Sequence, residues 1–334
     1  MTILCGLRLH RPGPRACAHL VGIERREDPT MAGLSDLADD ERTARMVLSM
    51  LVEPNDPVTG RVLNGLGAME TLRLAERDGA VVGLSAVDAQ VWRDHFDAPA
   101  AKEFAARLDQ AQQSGIQVLV PGDANWSVVL NDLGDLAPYV LWTRGASSCL
   151  ARPLHDFVTI TGSRASTSHG DHVARELAAG GDTIAILANG VDRPYPAGHR
   201  DLLERMADVG LLVSEVPLGA VPTRHRFIAR GRLLAALAST TVVVEAGSRS
   251  GSLVVARHAF ELGRGVGAVP GSVTSAASIG SHRLLRDGTA SLVADTSDLA
   301  RLAERGTGHR VSVSRAQSKA DLLRAAMPEP SRTL

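Results

Sequence analysis

The stretch Phe157-Val-Thr-Ile-Thr-Gly-Ser-Arg164 decides the predicted fold, because a short apolar run ends there in glycine and small polar residues. The same pattern returns at 182–190, 241–252 and 267–271. It is typical of a buried parallel strand that stops at the carboxyl edge of a sheet before a helix. Since such strand ends meet at one edge and expose backbone N–H groups, the sequence predicts a crevice suited to phosphate.

Strands and helices alternate along this part of the chain. The predicted strands are 157–161, 183–187, 211–215, 241–245, 267–269 and 290–294. The predicted helices are 168–179, 199–209, 224–238, 251–263 and 281–287. This alternation predicts an α/β fold with a Rossmann-like, doubly wound parallel sheet.

The remaining segments predict four regions. Apolar residues recur at helical spacing in 40–51, and further helices are expected in 56–74 and 87–112, whereas 115–120 and 136–145 have strand-like runs. The termini have no apolar periodicity beyond a short helical run at 318–327, so we expect both to be dispensable for folding. The predicted regions are a disordered extension (1–35), a helical N-terminal domain (36–112), a Rossmann-like domain (113–303) and a mobile tail (304–334).

The composition limits the classes of function. The 334 residues are 44% hydrophobic and 22% charged with a net charge of −1, so the chain is globular and any nucleic-acid site must be a local patch. Its basic residues are almost all arginine. Three cysteines without metal-ligand spacing favour a reducing, cytoplasmic setting and no metal or other cofactor. No apolar run is long enough for a membrane span, and we find no secretory signal pattern.

Two candidate phosphate sites contain arginine. Gly162, Ser163 and Arg164 offer backbone amides and a guanidinium at a helix N-terminus, although the same residues would suit a plain tight turn. The second site lies in 222–232, an acid-free segment that an ordinary solvated charge run would also explain. Its candidate ligands are Arg224, Arg226, Arg230 and Arg232.

A third candidate site is Glu245-Ala-Gly-Ser-Arg-Ser-Gly-Ser252. Glu245 could accept a hydrogen bond from a sugar hydroxyl, and the amides of Ser250, Gly251 and Ser252 could hold a phosphate. The segment is neither a G-x-G-x-x-G loop nor a P-loop. Without a catalytic triad order or a metal cluster, and with histidines scattered through the sequence, we predict no catalytic residues.

Together these segments resemble the DNA-processing protein A family (DprA/Smf) over residues 40–293. The most specific pieces are Gly162–Arg164, Gly190-Val-Asp-Arg-Pro-Tyr-Pro196, Ser214-Glu215, Pro222–Arg232, Glu245–Leu253 and Ala268-Val-Pro-Gly-Ser272. The resemblance implies a cytoplasmic homodimer that binds single-stranded DNA, protects it and hands it to the recombinase RecA during natural transformation and DNA recombination. It implies no enzymatic reaction.

The sequence departs from the family pattern in three places. Leu177-Ala-Ala-Gly-Gly-Asp182 passes directly to the next strand, where the family has a further strand and helix with a Ser-Gly…Gly-Ile-Asp…Ala-His signature. Gly231-Arg232 replaces an Asn-Arg pair, and Val255 replaces a threonine. A C-terminal winged-helix domain, which many members have, is not expected after residue 304.

The missing unit predicts a sheet one strand narrower than in relatives. The segment from Ser163 to Asp182 is long enough for a βαβ crossover, so strands 157–161 and 183–187 are expected to be parallel and could be direct neighbours. Ile184 and Ile186 would then be exposed, or covered by the N-terminal domain or a second chain. We therefore expect lower stability than in a complete relative and a tendency to associate.

Two other interpretations stay open at this stage. The crevice also resembles lysine-decarboxylase-like phosphoribohydrolases, which process nucleotides, but Glu-Ala-Gly-Ser-Arg-Ser-Gly replaces their Pro-Gly-Gly-x-Gly-Thr motif. A decayed paralogue that folds and binds DNA weakly is the other alternative.

Overall fold

The structure is a computed structural model that describes 34–96, 101–163, 166–179 and 182–305, together with the backbone of Ile3–Gly6. At 101–103, 105 and 305 it likewise describes the backbone alone. The predicted helical run at 318–327, most of the predicted N-terminal extension and most of the predicted tail lie outside the described residues.

The N-terminal region is helical, as the sequence predicts. Its helices are α1 (Glu41–Leu51), α2 (Pro57–Leu66), α3 (Ala68–Glu76), α4 (Ala86–Arg93) and α5 (Ala101–Gln113). Asp40 caps α1 and Asp56 caps α2 by accepting backbone N–H groups of the first turn, which leaves fewer orphan donors. Gly67, with a φ of 83°, separates α2 from α3 and so divides the predicted 56–74 segment into two helices.

The rest of the described chain alternates between strands and helices. The strands are β1 (Ile3–Gly6), β2 (Gln117–Leu119), β3 (Leu141–Gly145), β4 (Phe157–Thr161), β5 (Asp182–Leu187), β6 (Leu211–Ser214), β7 (Thr240–Val243), β8 (Gly265–Ala268) and β9 (Ser291–Leu292). The helices are α6 (Ser168–Ala178), α7 (Arg200–Val209), α8 (Arg224–Ala236), α9 (Ser252–Glu261), α10 (Ile279–Arg286) and α11 (Thr296–Arg305). The predicted α/β fold class is therefore confirmed.

Within the described residues the strands form one nine-stranded sheet, in the order β2-β3-β6-β5-β1-β4-β7-β8-β9. Strands β5 and β6 pair in parallel, and so do β4, β7, β8 and β9. Strands β2 and β3 form an antiparallel edge. The sheet is therefore mixed, with two parallel blocks of the predicted Rossmann-like type.

The strand β1 lies between the two parallel blocks and pairs antiparallel with both β4 and β5. The expectation of a disordered extension is therefore wrong for Ile3–Gly6. Strands β4 and β5 run parallel to each other, as expected, but they are not direct neighbours, because β1 from a distant part of the chain lies between them. Backbone N–H and C=O groups in a buried sheet need partners, and β1 supplies them.

Apolar side chains fill both faces of the sheet. Ile184 and Ile186 are 0% and 1% exposed and belong to the cluster that contains Leu233 of α8 and Ala256 of α9. The expectation that these two isoleucines would be exposed, or covered by the N-terminal domain or a second chain, is therefore wrong, because α8 and α9 of their own domain cover them. Ala185 and Leu187 point to the opposite face, toward α7 and the N-terminal helices.

Candidate nucleic-acid interface

The carboxyl ends of β4, β5 and β7 lie at one edge of the sheet, where three of the predicted segments meet. Val244 donates its N–H to Thr161 O at 2.9 Å, and Ser163 donates its N–H to Glu245 O at 2.8 Å. The first and third candidate sites are therefore directly hydrogen-bonded to each other. The Ser163 N–H is already used in this contact, and Arg164 lies outside the described residues.

Glu245 is 6% exposed and organises the loop that leads into α6. Its carboxylate accepts from the Thr167 N–H at 2.9 Å and from the Thr167 hydroxyl at 2.6 Å. Thr167 in turn caps α6 by accepting from the Gly170 N–H at 3.2 Å. A Cβ on Gly170 would lie 2.5 Å from the Glu245 carboxylate, so a larger residue there would displace the carboxylate from its present position. Because it is occupied in this way, Glu245 is a positioning residue, and the predicted sugar contact is not supported.

The loop after Glu245 forms the open side of the third site. Arg249 and Gly251 are exposed, while Ser252 is buried and its hydroxyl lies 2.7 Å from the Ser250 hydroxyl. Gly251 is the N-cap of α9 and makes no side-chain capping bond. The helix dipole favours an anion at this end of α9. The Ser252 N–H already donates to Ser250 Oγ at 3.4 Å and the Ser250 N–H to Gly247 O at 3.1 Å, so the predicted phosphate contacts of these two amides are not supported. Arg249 is absent from the predicted ligands although it lies inside the predicted motif.

The basic segment opens α8, with Thr223 as its N-cap. Arg226 makes a bidentate ion pair with Glu53, with Nε–Oε2 and Nη2–Oε1 distances of 2.9 and 2.6 Å, and donates to Val221 O at 2.8 Å. Its side chain is 18% exposed against 50% for Glu53. Glu53, in the turn after α1, is thus a partner that the local sequence of α8 did not predict.

Arg230 reaches the carboxyl end of β5, where its Nη1 donates to Ile186 O at 3.2 Å. Its guanidinium carbon lies 5.1 Å from the centre of the Phe227 ring, and Phe227 packs against Tyr195 at a centroid distance of 5.9 Å. This stack joins α8 to the loop after β5. Arg224, at the start of α8, is exposed.

Arg232 is 2% exposed and is not available as a phosphate ligand, which corrects the prediction for this residue. Its guanidinium pairs with both oxygens of Glu215 at 2.7 and 2.5 Å. It also donates to Leu136 O at 2.6 Å and to Ala229 O at 2.7 Å. A buried arginine with these partners is a structural ion pair, because a lone buried charge would be costly.

Tyr139 lies beside this pair, next to Arg232 and Glu215 in the wall of a small cleft that also contains Pro54. Burial raises the pKa of the Tyr139 hydroxyl far above its ordinary value, and the Asp56 carboxylate raises the pKa further. The phenol therefore stays neutral, and it adds no charge to the surroundings of the Arg232–Glu215 pair.

The loop at 190–196 has a structural role at this edge. Asn189 donates to Gly190 O and Arg193 O at 3.0 and 2.5 Å. The Asp192 carboxylate accepts from the Gly219 N–H at 3.0 and 3.1 Å. A Cβ on Gly190 would lie 2.3 Å from Asp192 and 2.7 Å from Pro217 O, so glycine is required.

Neither a metal cluster nor a membrane helix is found in the described part of the chain. In those ranges no group of three or more His, Cys, Asp or Glu residues is placed to hold a metal ion. The described helices are all too short or too polar to cross a bilayer.

The fold is that of a Rossmann-like α/β protein, and the candidate residues gather at the carboxyl edge of its sheet. The family model described as DNA recombination-mediator protein A matches residues 171–304. A putative DNA processing protein DprA from Mycobacterium tuberculosis is 40% identical over 230 residues, covering 58% of this chain and 59% of that protein. Protein Smf from Synechocystis is 30% identical over 223 residues, covering 58% of this chain and 56% of the relative.

The X-ray structure of DprA from Streptococcus pneumoniae has the same fold, with a TM-score of 0.59 and 24% identity, covering 81% of this chain and 98% of that chain. In sequence and fold, the chain is similar to members of the DNA-processing protein A (DprA/Smf) family. It spans less than two thirds of the length of the two curated relatives. The alignment with the Mycobacterium protein has 230 positions, but 58% of 334 residues is only about 194 residues of this chain. Within the aligned stretch, about 36 positions of the relative are therefore gaps in this chain.

Proposed function

We propose that this protein binds single-stranded DNA along the carboxyl edge of the sheet and acts in DNA processing during natural transformation and recombination in the cytoplasm. The observation that carries the proposal is the meeting of α8, the loop after β7 and the end of β5 at one edge of a DprA/Smf fold. Arginines and helix N-terminal amides at this edge are groups that bind phosphate without reading sequence.

The proposed phosphate ligands are Arg224, Arg226 and Arg230 on α8, together with Arg164, Arg249 and the backbone amide of Gly251. Arg226 is partly exposed and its partner Glu53 is half exposed, so a phosphate can replace the carboxylate with the same bidentate geometry. Arg230 stacks on Phe227, which leaves an aromatic group close to the phosphate path. Arg232 is excluded because it is buried.

The proposal extends to the partners that the family resemblance implies, a second copy of the chain in a homodimer and the recombinase RecA. These are tested separately from DNA binding. Light scattering of the purified protein measures its mass, and a strand-exchange assay with RecA measures whether the protein speeds recombinase loading on coated single strands. A monomer, or an unchanged exchange rate, would contradict the corresponding part.

The central experiment is a titration of single-stranded DNA at several salt concentrations. Each phosphate contact contributes a log–log slope of about −0.7, so Arg226→Ala with Arg230→Ala should weaken binding to every sequence and reduce the slope by about 1.4. Arg77→Ala, an exposed arginine at the C-cap of α3, is the matched control. Equal slopes of log affinity against log salt concentration for the double variant and the control would contradict this assignment of the DNA site.

The rival function is a phosphoribohydrolase that cleaves a nucleotide at this crevice. The occupied carboxylate of Glu245 disfavours it, because a catalytic glutamate must be free to meet the substrate. Incubation with nucleoside monophosphates and chromatography for free base separates the two functions. Release of base that is lost in Glu245→Gln would favour the enzyme, whereas the absence of salt-dependent DNA binding would favour a decayed paralogue.

A further inference from the structure

Among the described strands, β1 occupies the fifth of nine positions in the sheet, although it lies near the N-terminus and its neighbours β4 and β5 come from the middle of the chain. Against β4 the register runs from Ile3–Ile160 to Gly6–Phe157. Against β5 it includes the pairs Leu4–Ile184 and Gly6–Asp182. All four residues of β1 pair with β4, and Leu4, Cys5 and Gly6 also pair with β5.

The position needs a strand, because β4 and β5 meet no other partner on these edges within the described residues. The crossover between them, through α6, contains no strand in its described part. The two blocks of the sheet are hydrogen-bonded to each other through β1. With the position empty, a row of N–H and C=O groups on both strands would lack hydrogen-bond partners, which destabilises the sheet.

The antiparallel direction of β1 shows that this strand is not part of a βαβ unit, since such a unit joins parallel strands. A strand without a crossover helix is held in the sheet by backbone hydrogen bonds to its neighbouring strands, and not by a connecting helix that packs on the sheet. The strand β1 therefore pairs with β4 and β5 in the way that an extended peptide adds to the edge of a sheet, where main-chain hydrogen bonds give the affinity.

We propose that the gap between β4 and β5 is a strand-acceptor site for an extended peptide, and that its occupant is the chain's own segment Ile3–Gly6. The segment replaces in antiparallel form the strand that the family pattern would place after α6. The site is distinct from the DNA-binding edge and does not depend on the proposed function.

Occupation of this site sets the width of the crevice. The end of β4 continues into Gly162, and the end of β5 carries Ile186, the carbonyl that Arg230 contacts. With one strand between them these two ends are separated by two strand spacings, roughly 9.5 Å, and without it by one spacing, roughly 4.8 Å, or by an unpaired gap. The acceptor site therefore couples the N-terminal segment to the spacing of the crevice walls.

The test compares two substitutions in the full chain, Leu4→Pro and Leu4→Ala. Proline removes a backbone donor and disrupts a central strand, while alanine keeps the backbone able to pair. We expect Leu4→Pro to lower the thermal midpoint by roughly 5 °C or more relative to Leu4→Ala. We also expect faster amide hydrogen exchange in β4 and β5 and unchanged exchange in β8. Equal midpoints and equal exchange for the two variants would overturn the proposal.

A peptide of residues 1–10 provides the second measurement. Added to the Leu4→Pro chain, it should raise the midpoint in a saturable way with one peptide bound per chain, because it fills the vacated site. The same peptide with Leu4→Pro is the control and should have no effect. Lack of rescue by the unsubstituted peptide, or equal rescue by both peptides, would overturn the acceptor site. A dimer in the unsubstituted chain that Leu4→Pro converts to monomer would overturn the own-chain occupant and assign the strand to a second copy.

Discussion

The two ends of the basic stretch of α8 differ although their residues are alike. Arg226 lies near the surface with a half-exposed carboxylate partner, while Arg232, six residues later, is buried with Glu215. Both arginines make bidentate ion pairs. The two pairs differ in burial: the Arg226–Glu53 pair is partly open to solvent, whereas the Arg232–Glu215 pair lies in the core. A row of arginines in a sequence is therefore not by itself a positive patch.

Of the substitutions that test this difference, Arg232→Ala should change the free energy of unfolding most. It leaves the buried Glu215 carboxylate without its partner, and breaking such a pair costs about 3–5 kcal/mol. Urea unfolding measures the free energy of unfolding. The paired variant Arg232→Met with Glu215→Leu removes both charges and should recover most of the loss. A change below about 1 kcal/mol in Arg232→Ala would show that the pair is not structural.

Gly170→Ala tests the buried carboxylate of Glu245. The added methyl would lie 2.5 Å from that carboxylate and would displace it from Thr167. Overpacking of this kind costs about 1–3 kcal/mol, and DNA binding should weaken with it. Gly198→Ala is the matched control, because a Cβ there would meet no atom within 4 Å. Equal unfolding energies for both variants would contradict the proposed contact.

Glu53→Gln tests the partly exposed Arg226–Glu53 pair and should increase the affinity for single-stranded DNA. Removing the carboxylate frees Arg226 for phosphate, and an exposed ion pair is worth about 0.2–1 kcal/mol, so single-stranded DNA should bind about 1.5- to 5-fold more tightly at low salt. The control is Glu70→Gln, which breaks the exposed pair with Arg73 on α3. Equal affinities for single-stranded DNA in Glu53→Gln and Glu70→Gln would show that Arg226 does not contact DNA.

Arg224→Ala should have the smallest effect. The side chain is exposed at the start of α8, so its loss should leave the free energy of unfolding within about 0.5 kcal/mol. The slope of DNA affinity against salt should fall by about 0.7, the value for one phosphate contact. A fluorescence titration at four salt concentrations measures this change. A slope equal to that of the unsubstituted chain removes Arg224 from the proposed site.

The predicted strands and helices between 157 and 294 match the structure closely, because each follows from local periodicity and from glycine or capping residues at its ends. Strand β4 and helix α6 differ from their predicted bounds by no more than one residue. The helices of the N-terminal region were predicted for the same reason. Gly162, Ser163 and the 245–252 segment also lie together as predicted, because strands that follow this pattern end at the same edge of a sheet.

The partners of the predicted ligands could not be read from the sequence. Glu53 lies 173 residues from Arg226. Asp182 of β5 pairs with Gly6 of β1, from which it is separated by more than half the length of the chain. No local rule links such positions, since side-chain spacing along one helix reports only its own faces. Glu215 was inside a predicted motif, but its burial with Arg232 depends on how α8 packs against the sheet.

By itself the sequence determined the α/β class, the order of elements and the edge at which the candidate site forms, because hydrophobic periodicity and glycine at strand ends are local properties of the chain. Tertiary structure alone decided which arginines stay accessible and which strand stands between β4 and β5. Both outcomes depend on pairing between distant segments: a carboxylate must meet a guanidinium, and unpaired backbone groups must meet a strand, wherever in the chain those partners come from.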